Sequence, residues 1–174
     1  MRKTSTRIRL SLIIFAISIG IWLLHGRLFE PEILTVNSAR ADVIDGDSFR
    51  TADSEFRIYG IDAPEYRQQC QDDEGRNWDC GKFSRSGLES LLGIENHACE
   101  VRARDKYQRA IVTCTSPAGA DLGAELVLRG LALSADSFDA PIYATEERYA
   151  ERTKRGIWKG SFVNPKIWRG ENRR

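Results

Sequence analysis

Residues 45–65 read DGDSFRTADSEFRIYGIDAPE, and the way this stretch folds back on itself decides how the rest of the chain is arranged. Two short alternating runs, Ser48–Ala52 and Glu55–Ile61, flank the polar pair Asp53-Ser54. That is the pattern of a β-hairpin. With a two-residue turn at 53–54, Asp45 falls opposite Asp62 and Asp47 opposite Gly60. In the second run Phe56, Ile58 and Gly60 share one face, and Arg57, Tyr59 and Ile61 the other. Three aspartates then gather at the open end of the hairpin. Glu65 follows just past Pro64, which ends the strand because it cannot donate to a ladder. Carboxylates held this close repel one another. A cluster of hard oxygen donors in need of a counter-charge suits a divalent cation. Asp-Gly-Asp alone is an ordinary turn; its pairing with IDAPE, with Arg57 between, makes it a candidate site.

Working outward, alternation from Ala39 to Val43 predicts a strand before this hairpin. After it, Tyr66–Trp78 is a charged loop. Gly81–Leu92 then has helical spacing, with Phe83, Leu88, Leu91 and Leu92 on one side and Gly93 as its stop. Cys99–Ala103 and Arg109–Cys114 form a second hairpin around the turn RDKYQ, residues 104–108. Asp121 caps a short helix, Leu122–Arg129, closed by Gly130. A last helix begins at Asp139-Ala140-Pro141, with Glu146 and Glu147 early, Lys154 and Arg155 late and Gly156 at its end, as the helix dipole prefers. Five short antiparallel strands with a helix between the third and fourth match an oligonucleotide-binding (OB-fold) barrel with about three helices, in the α+β class.

The 174 residues suffice for one domain with a real core. Arg2, Lys3, Arg7 and Arg9 are unopposed by acid in the first nine positions. Without those four, 22 basic residues face 25 acidic ones, so any site for a polyanion must be local rather than a basic coat. Leu10–Leu24 carries no charge. A basic leader followed by an apolar run is an export signal. We expect an uncleaved signal-anchor over residues 1–25, positive end inside, with the domain outside the inner membrane in the periplasm. A cleaved signal and a secreted protein are the rival reading. A linker over 26–38, a domain over 39–160 and a basic tail over 161–174 complete the division. Four cysteines fit export as disulfides. Cys99 and Cys114 lie symmetrically about a hairpin, and Cys70 and Cys80 bracket one polar loop, so the expected bridges are Cys70–Cys80 and Cys99–Cys114. A zinc site is the alternative, but the spacings match no usual pattern.

Only two histidines are present, His25 at the end of the apolar run and His97 before a strand, where it reads as a turn residue. A histidine-based triad or a multi-histidine zinc centre is therefore disfavoured. What remains is carboxylates with Arg57 and Arg109. Arginine suits bidentate phosphate binding, and a metal, two arginines and a carboxylate base make a site for attack of water on a phosphodiester.

DGDS, FRIYGIDAPE, RDKYQRAIV, LVLRGLA and RGIW occur in the order and spacing of the staphylococcal-nuclease-like (thermonuclease) family, and from Ala39 to Lys159 the chain resembles it. The resemblance implies a five-stranded OB barrel with three helices that cleaves DNA and RNA with calcium at the P–O5′ bond, leaving a 3′-phosphate. It implies that Asp47 and Asp62 are calcium ligands through their side chains and Ala63 through its carbonyl, and that Glu65 is the general base. Arg57 and Arg109 would hold the phosphate and stabilise the transition state, and Lys106 and Tyr107 would lie near the terminal phosphate of a bound nucleotide. The chain departs from the family pattern at Ser48, which keeps a hydroxyl, and at Ala63, which lacks one. It departs again at Gln108, where the family has glycine, and at Asp136, where the family has an aromatic residue; Phe138 is the nearest substitute. The implied partners are nucleic acid and, through the N-terminal segment, a membrane, with no protein partner and a monomeric state. The competing reading is a membrane-anchored OB module that binds nucleic acid or protein without cleaving it.

Overall fold

The turn that the sequence places at 53–54 is longer in the computed structural model, which describes residues 11–22, 30–135 and 141–172. Strand β3 (Ser48–Arg50) pairs with β4 (Glu55–Ile58) so that Ser48 faces Arg57 and Arg50 faces Glu55. The loop therefore spans 51–54, closed by the Thr51 amide donating to the Ser54 carbonyl at 2.9 Å. The register is two residues from the one expected, so the faces are preserved while Asp47 now lies across from Ile58, whose amide donates to the Asp47 carbonyl. A second correction falls at Gly60. Its φ of +75° bends the chain after β4, so Ile61 is buried with Phe56 and Ile58 instead of sharing the face of Arg57.

The segment read as linker holds a strand, β1 (Ile33–Asn37). A short 3-10 turn, Ser38–Arg40, separates it from β2 (Asp42–Val43), so the first strand is shorter and starts later than its alternation implied. The compact unit accordingly begins at Ile33. After β4 come β5 (Ile61–Asp62), the two-residue pair β6 (Cys70–Gln71) and β7 (Asn77–Trp78), and helix α2 (Cys80–Leu92). Then follow β8 (Asn96–Arg104), β9 (Ala110–Thr115), helix α3 (Leu122–Leu128), β10 (Leu133–Ser134), α4 (Ala144–Arg152) and α5 (Pro165–Glu171). The tail that reads as merely basic thus contains a helix. Asn164 caps it by accepting from the Lys166 amide, and Pro165 stands in its first turn. The expected start of the last helix, Asp139-Ala140, and the departures at Asp136 and Phe138 lie outside the described residues.

The main sheet runs β1-β8-β9-β4-β3-β2. All pairs are antiparallel except β4 with β9, which is parallel because α2 and β8 intervene and return the chain in the same sense. The two edges, β1 and β2, are neighbours in sequence. A flat six-stranded sheet would hold its edges about 24 Å apart, whereas the five steps from Asn37 to Asp42 reach no further than about 18 Å. The sheet must therefore curl, and it forms the barrel wall of an OB-type fold. Phe49 and Phe56 stack inside it at 5.0 Å between ring centres, among Ile58, Val112, Leu88 and Leu126, all buried. Burial at this depth contributes about 1.5–3 kcal/mol per large side chain. In α2 Leu88 and Leu92 face the core as expected, but Phe83 is half exposed and packs edge-on to Trp78. His97 is not a turn residue: it lies in β8, 1% exposed, with Nδ1 at 3.0 Å from the Ser38 hydroxyl.

Both bridges form as expected, Cys70–Cys80 and Cys99–Cys114. Cys99 and Cys114 are direct cross-strand partners. Cys70 and Cys80 anchor a smaller core with Leu133 and Ile157, against which Trp78, Trp158 and Phe162 pack.

The N-terminal unit is described by itself as one helix, α1, residues 11–22, with exposed side chains. Among the described residues no helix is long and apolar enough to cross a membrane.

Candidate active site

The loop between β2 and β3 carries Asp45-Gly46-Asp47. The Asp45 carboxylate accepts from the Asp47 amide at 3.1 Å, which tightens the turn. A Cβ on Gly46 would lie 2.6 Å from the Ser84 Cβ of α2 and 2.7 Å from that of Ala63, so only glycine lets the loop pass this close. The consequence is that Asp47 is driven inward, to 2% exposure. There its Oδ1 accepts from the Ser48 hydroxyl and from Arg57, each at 2.7 Å, and its Oδ2 from the Ala63 amide at 3.0 Å. Burial pushes the Asp47 carboxyl up; with Arg57 drawing it down and Asp45 pushing it up, it comes to about 7.

Arg57 stands on the solvent-side face of β4 and spans two carboxylates. Its second terminal nitrogen reaches Asp62 Oδ1 at 3.2 Å. Asp62 is placed by β5, whose partner is β10, with Leu133 opposite Asp62. Glu65 follows in a segment fixed by its backbone. Its amide donates to Gln68 Oε1 at 3.2 Å, and its carbonyl oxygen would lie 1.8 Å from a Cβ on Gly81. Gln68, fully buried, donates from its other end to the Val163 carbonyl at 2.6 Å.

The tail supplies a residue that sequence reasoning missed. Arg169, on α5, donates to Asp62 Oδ1 at 2.8 Å, to Asp62 Oδ2 at 3.0 Å and to Glu65 Oε1 at 2.9 Å. The hydrogen bond to Asp62 raises the Arg169 guanidinium above its ordinary value, against its partial burial and with help from Glu65. Asn164-Pro165 was the available signal, since a capping side chain before a proline marks a helix start.

Asp47, Asp62, Glu65 and Arg57 are thus gathered in one place, linked by Arg57 and Arg169, beside a cleft of about 390 Å³ that Lys166 and Asn164 also line. Arg109, Lys106 and Tyr107 are not part of this cluster. Arg109 donates to Asp105 at 2.8 Å and to Glu55 at 3.5 Å. With Tyr107 and Gln108 it lines a second cleft of about 550 Å³. Burial pushes the Asp105 carboxyl up, but hydrogen bonds from the Arg109 side chain and from the Arg109 and Tyr107 amides outweigh it and hold it below its usual value. Glu55 and Arg57 are two apart on one face of β4, about 7 Å along the strand, so the two clefts are neighbours on a single surface. Gln108 adopts φ +66°, the left-handed conformation that glycine takes most readily, so the turn before Arg109 is kept with a side chain in place.

Three carboxylates, Asp47, Asp62 and Glu65, which are oxygen donors of the kind a hard divalent cation takes, face two guanidiniums, with Asp45 close by. Among the described residues no three His, Cys, Asp or Glu side chains converge as ligands; the arginines bridge them instead.

A family model described as staphylococcal nuclease homologue matches residues 55–160. The chain belongs to the staphylococcal nuclease family. Within that family's range lie Arg57, Asp62, Glu65 and Arg109, whereas Asp47 precedes it and Arg169 follows it. A relative of this nuclease homologue, the succinoglycan biosynthesis protein ExoI of Rhizobium meliloti (strain 1021), is 35% identical over 121 residues, which are 69% of this chain and 63% of that protein. The chain therefore spans less than two thirds of that relative's length. An uncharacterized endonuclease of Escherichia coli O157:H7 is 29% identical over 133 residues, 73% of this chain and 80% of its own. An uncharacterized endonuclease of Escherichia coli matches to the same extent.

Proposed function

We propose that the chain is a calcium-dependent nuclease that hydrolyses phosphodiester bonds of DNA or RNA. The observation that carries this reading is the meeting of Asp47 and Asp62 at Arg57, with Glu65 joined to Asp62 through Arg169, on a staphylococcal nuclease barrel. Calcium, when bound, would neutralise a phosphate oxygen and orient water, and Asp47, Asp62 and the Ala63 carbonyl are the groups that would hold it. Glu65 takes the proton of the attacking water as the water oxygen bonds to phosphorus; the P–O5′ bond breaks, and the proton passes on to the departing 5′ oxygen. Arg57, fixed between two carboxylates, offers its guanidinium to the phosphate oxygens as their charge grows. Arg109 approaches the same phosphate from the neighbouring cleft on releasing Glu55, a long contact of 3.5 Å between partly exposed groups that costs little to break. Lys106 and Tyr107 receive the flanking phosphate and nucleotide.

One observation favours a module that binds nucleic acid without cutting it: Arg109 is held by Asp105 and Glu55, away from the carboxylates. Cleavage assays on single-stranded DNA, duplex DNA and RNA, in calcium and in chelator, separate the two. Calcium-dependent cleavage that disappears in Glu65→Gln supports the nuclease; binding without cleavage by the folded wild type supports the module. For location, the basic leader and apolar run support an exported protein held at the inner membrane, to be checked by fractionating cells.

A further inference from the structure

Asp62 has no free oxygen. Its Oδ1 receives Arg57 at 3.2 Å and Arg169 at 2.8 Å, and its Oδ2 receives Arg169 at 3.0 Å. Glu65 receives the same Arg169 nitrogen that serves Asp62 Oδ1. One guanidinium, delivered from α5, thus occupies two of the three carboxylates that the proposed chemistry needs. Two guanidiniums also crowd a single oxygen, and like charges at that separation repel, which lowers the cost of releasing one of them. Arg57 is the better held: it also pairs with the buried Asp47, and it rises from a strand in the middle of the sheet. Arg169 rises from a helix of seven residues, and its side chain is 35% exposed at the edge of the cleft.

The anchoring of α5 is concentrated at its start. Val163 is held by Gln68, Asn164 caps the first turn and Pro165 is buried. Arg169 lies at the opposite end, so that end can tilt away while its attachment stays in place.

We propose that Arg169 is a residue of the active site: a tethered counter-ion that sits on Asp62 and Glu65 and must be displaced before a divalent cation can take Asp62 and Glu65 can act as base. This rests on the calcium reading above, and its test is chosen so that the two can fail separately. Calcium binding to the full chain is measured by calorimetry for wild type, Arg169→Gln and Arg169→Lys, and hydrogen exchange of the α5 amides is followed in the wild type with and without calcium. Removing a competitor held by charge-assisted hydrogen bonds is expected to tighten calcium binding about tenfold in Arg169→Gln. Arg169→Lys, which keeps the charge but loses the two-pronged fork, is expected to fall between the two. Calcium is expected to speed exchange in residues 165–171 of the wild type. An affinity in Arg169→Gln equal to or weaker than that of a calcium-binding wild type would overturn this inference and leave the calcium reading standing. So would an unchanged α5 exchange rate. Absence of calcium binding in all three proteins would overturn both.

Discussion

Gly81 lies directly against the carbonyl oxygen of Glu65, so close that a Cβ at position 81 would stand 1.8 Å from it. The neighbour is backbone and cannot swing aside. Gly81→Ala is therefore expected to push the Glu65 segment outward, with a cost of about 1–3 kcal/mol for the overpacking and a loss of turnover larger than that stability loss explains. Thermal unfolding and kcat on the same preparation check this; a variant as stable and as active as the wild type would show that the contact relaxes harmlessly.

Gln68 joins the Glu65 amide to the Val163 carbonyl from inside the protein. Gln68→Ala removes a fully buried side chain and leaves the Glu65 amide and the Val163 carbonyl, both in part-buried bonds, without their partner. The expected cost is about 1–3 kcal/mol in total, read by chemical denaturation. Because the bond to Val163 is one attachment of the segment leading to α5, Trp168 fluorescence is expected to change as well.

The two arginines of the sequence reading should separate by phenotype. Arg57 neutralises Asp47, which is 2% exposed, so Arg57→Ala leaves a buried carboxylate uncompensated and should cost about 3 kcal/mol, the low end for breaking a buried pair. Arg109 pairs with the partly exposed Glu55 and Asp105, and Asp105 keeps the backbone amides of Tyr107 and of position 109, so Arg109→Ala should cost less than Arg57→Ala, under about 1 kcal/mol. Both are expected to lower turnover. Denaturation midpoints and single-turnover rates distinguish the cases, and equal destabilisation by the two variants would contradict the geometry.

The Tyr143 hydroxyl donates to both oxygens of Asp121 at 3.1 Å. Burial pushes this phenol above its ordinary value, and the Asp121 charge adds to the effect. A group whose folded pKa exceeds its unfolded one stabilises the fold fully below the unfolded value and progressively less above it. Stability should therefore decline as pH rises beyond about 10, the ordinary tyrosine value. Tyr143→Phe removes this contribution to the decline and lowers stability near neutral pH; parallel pH profiles of wild type and variant supply the comparison.

Much of the barrel was legible because its signals are local. Asp121 caps α3 as its sequence indicates, Gly93 ends α2, and the four cysteines pair as their hairpin and loop dictate. The clustering of Asp47, Asp62 and Arg57 was legible for a looser reason. The register moved by two residues, and a shift of two keeps every side chain on its face. The misses are non-local. Ile61 changed sides because Gly60 bends the chain. Strand β1 was hidden behind Pro31 in a segment whose partner, β8, lies some sixty residues on. Arg169 reaches a carboxylate 107 positions away; Asn164-Pro165 marks the helix that carries it but not the contact it makes.

The order of the main sheet has one more consequence. Open sheets invite a strand from another molecule to add at an exposed border. Here one border is only two residues long, and the other is tied to it by the short turn around Ser38–Arg40. That turn acts as a clasp on a hoop. While it is intact the borders cannot part by more than about 18 Å, and a single cut between Asn37 and Asp42 would remove that limit.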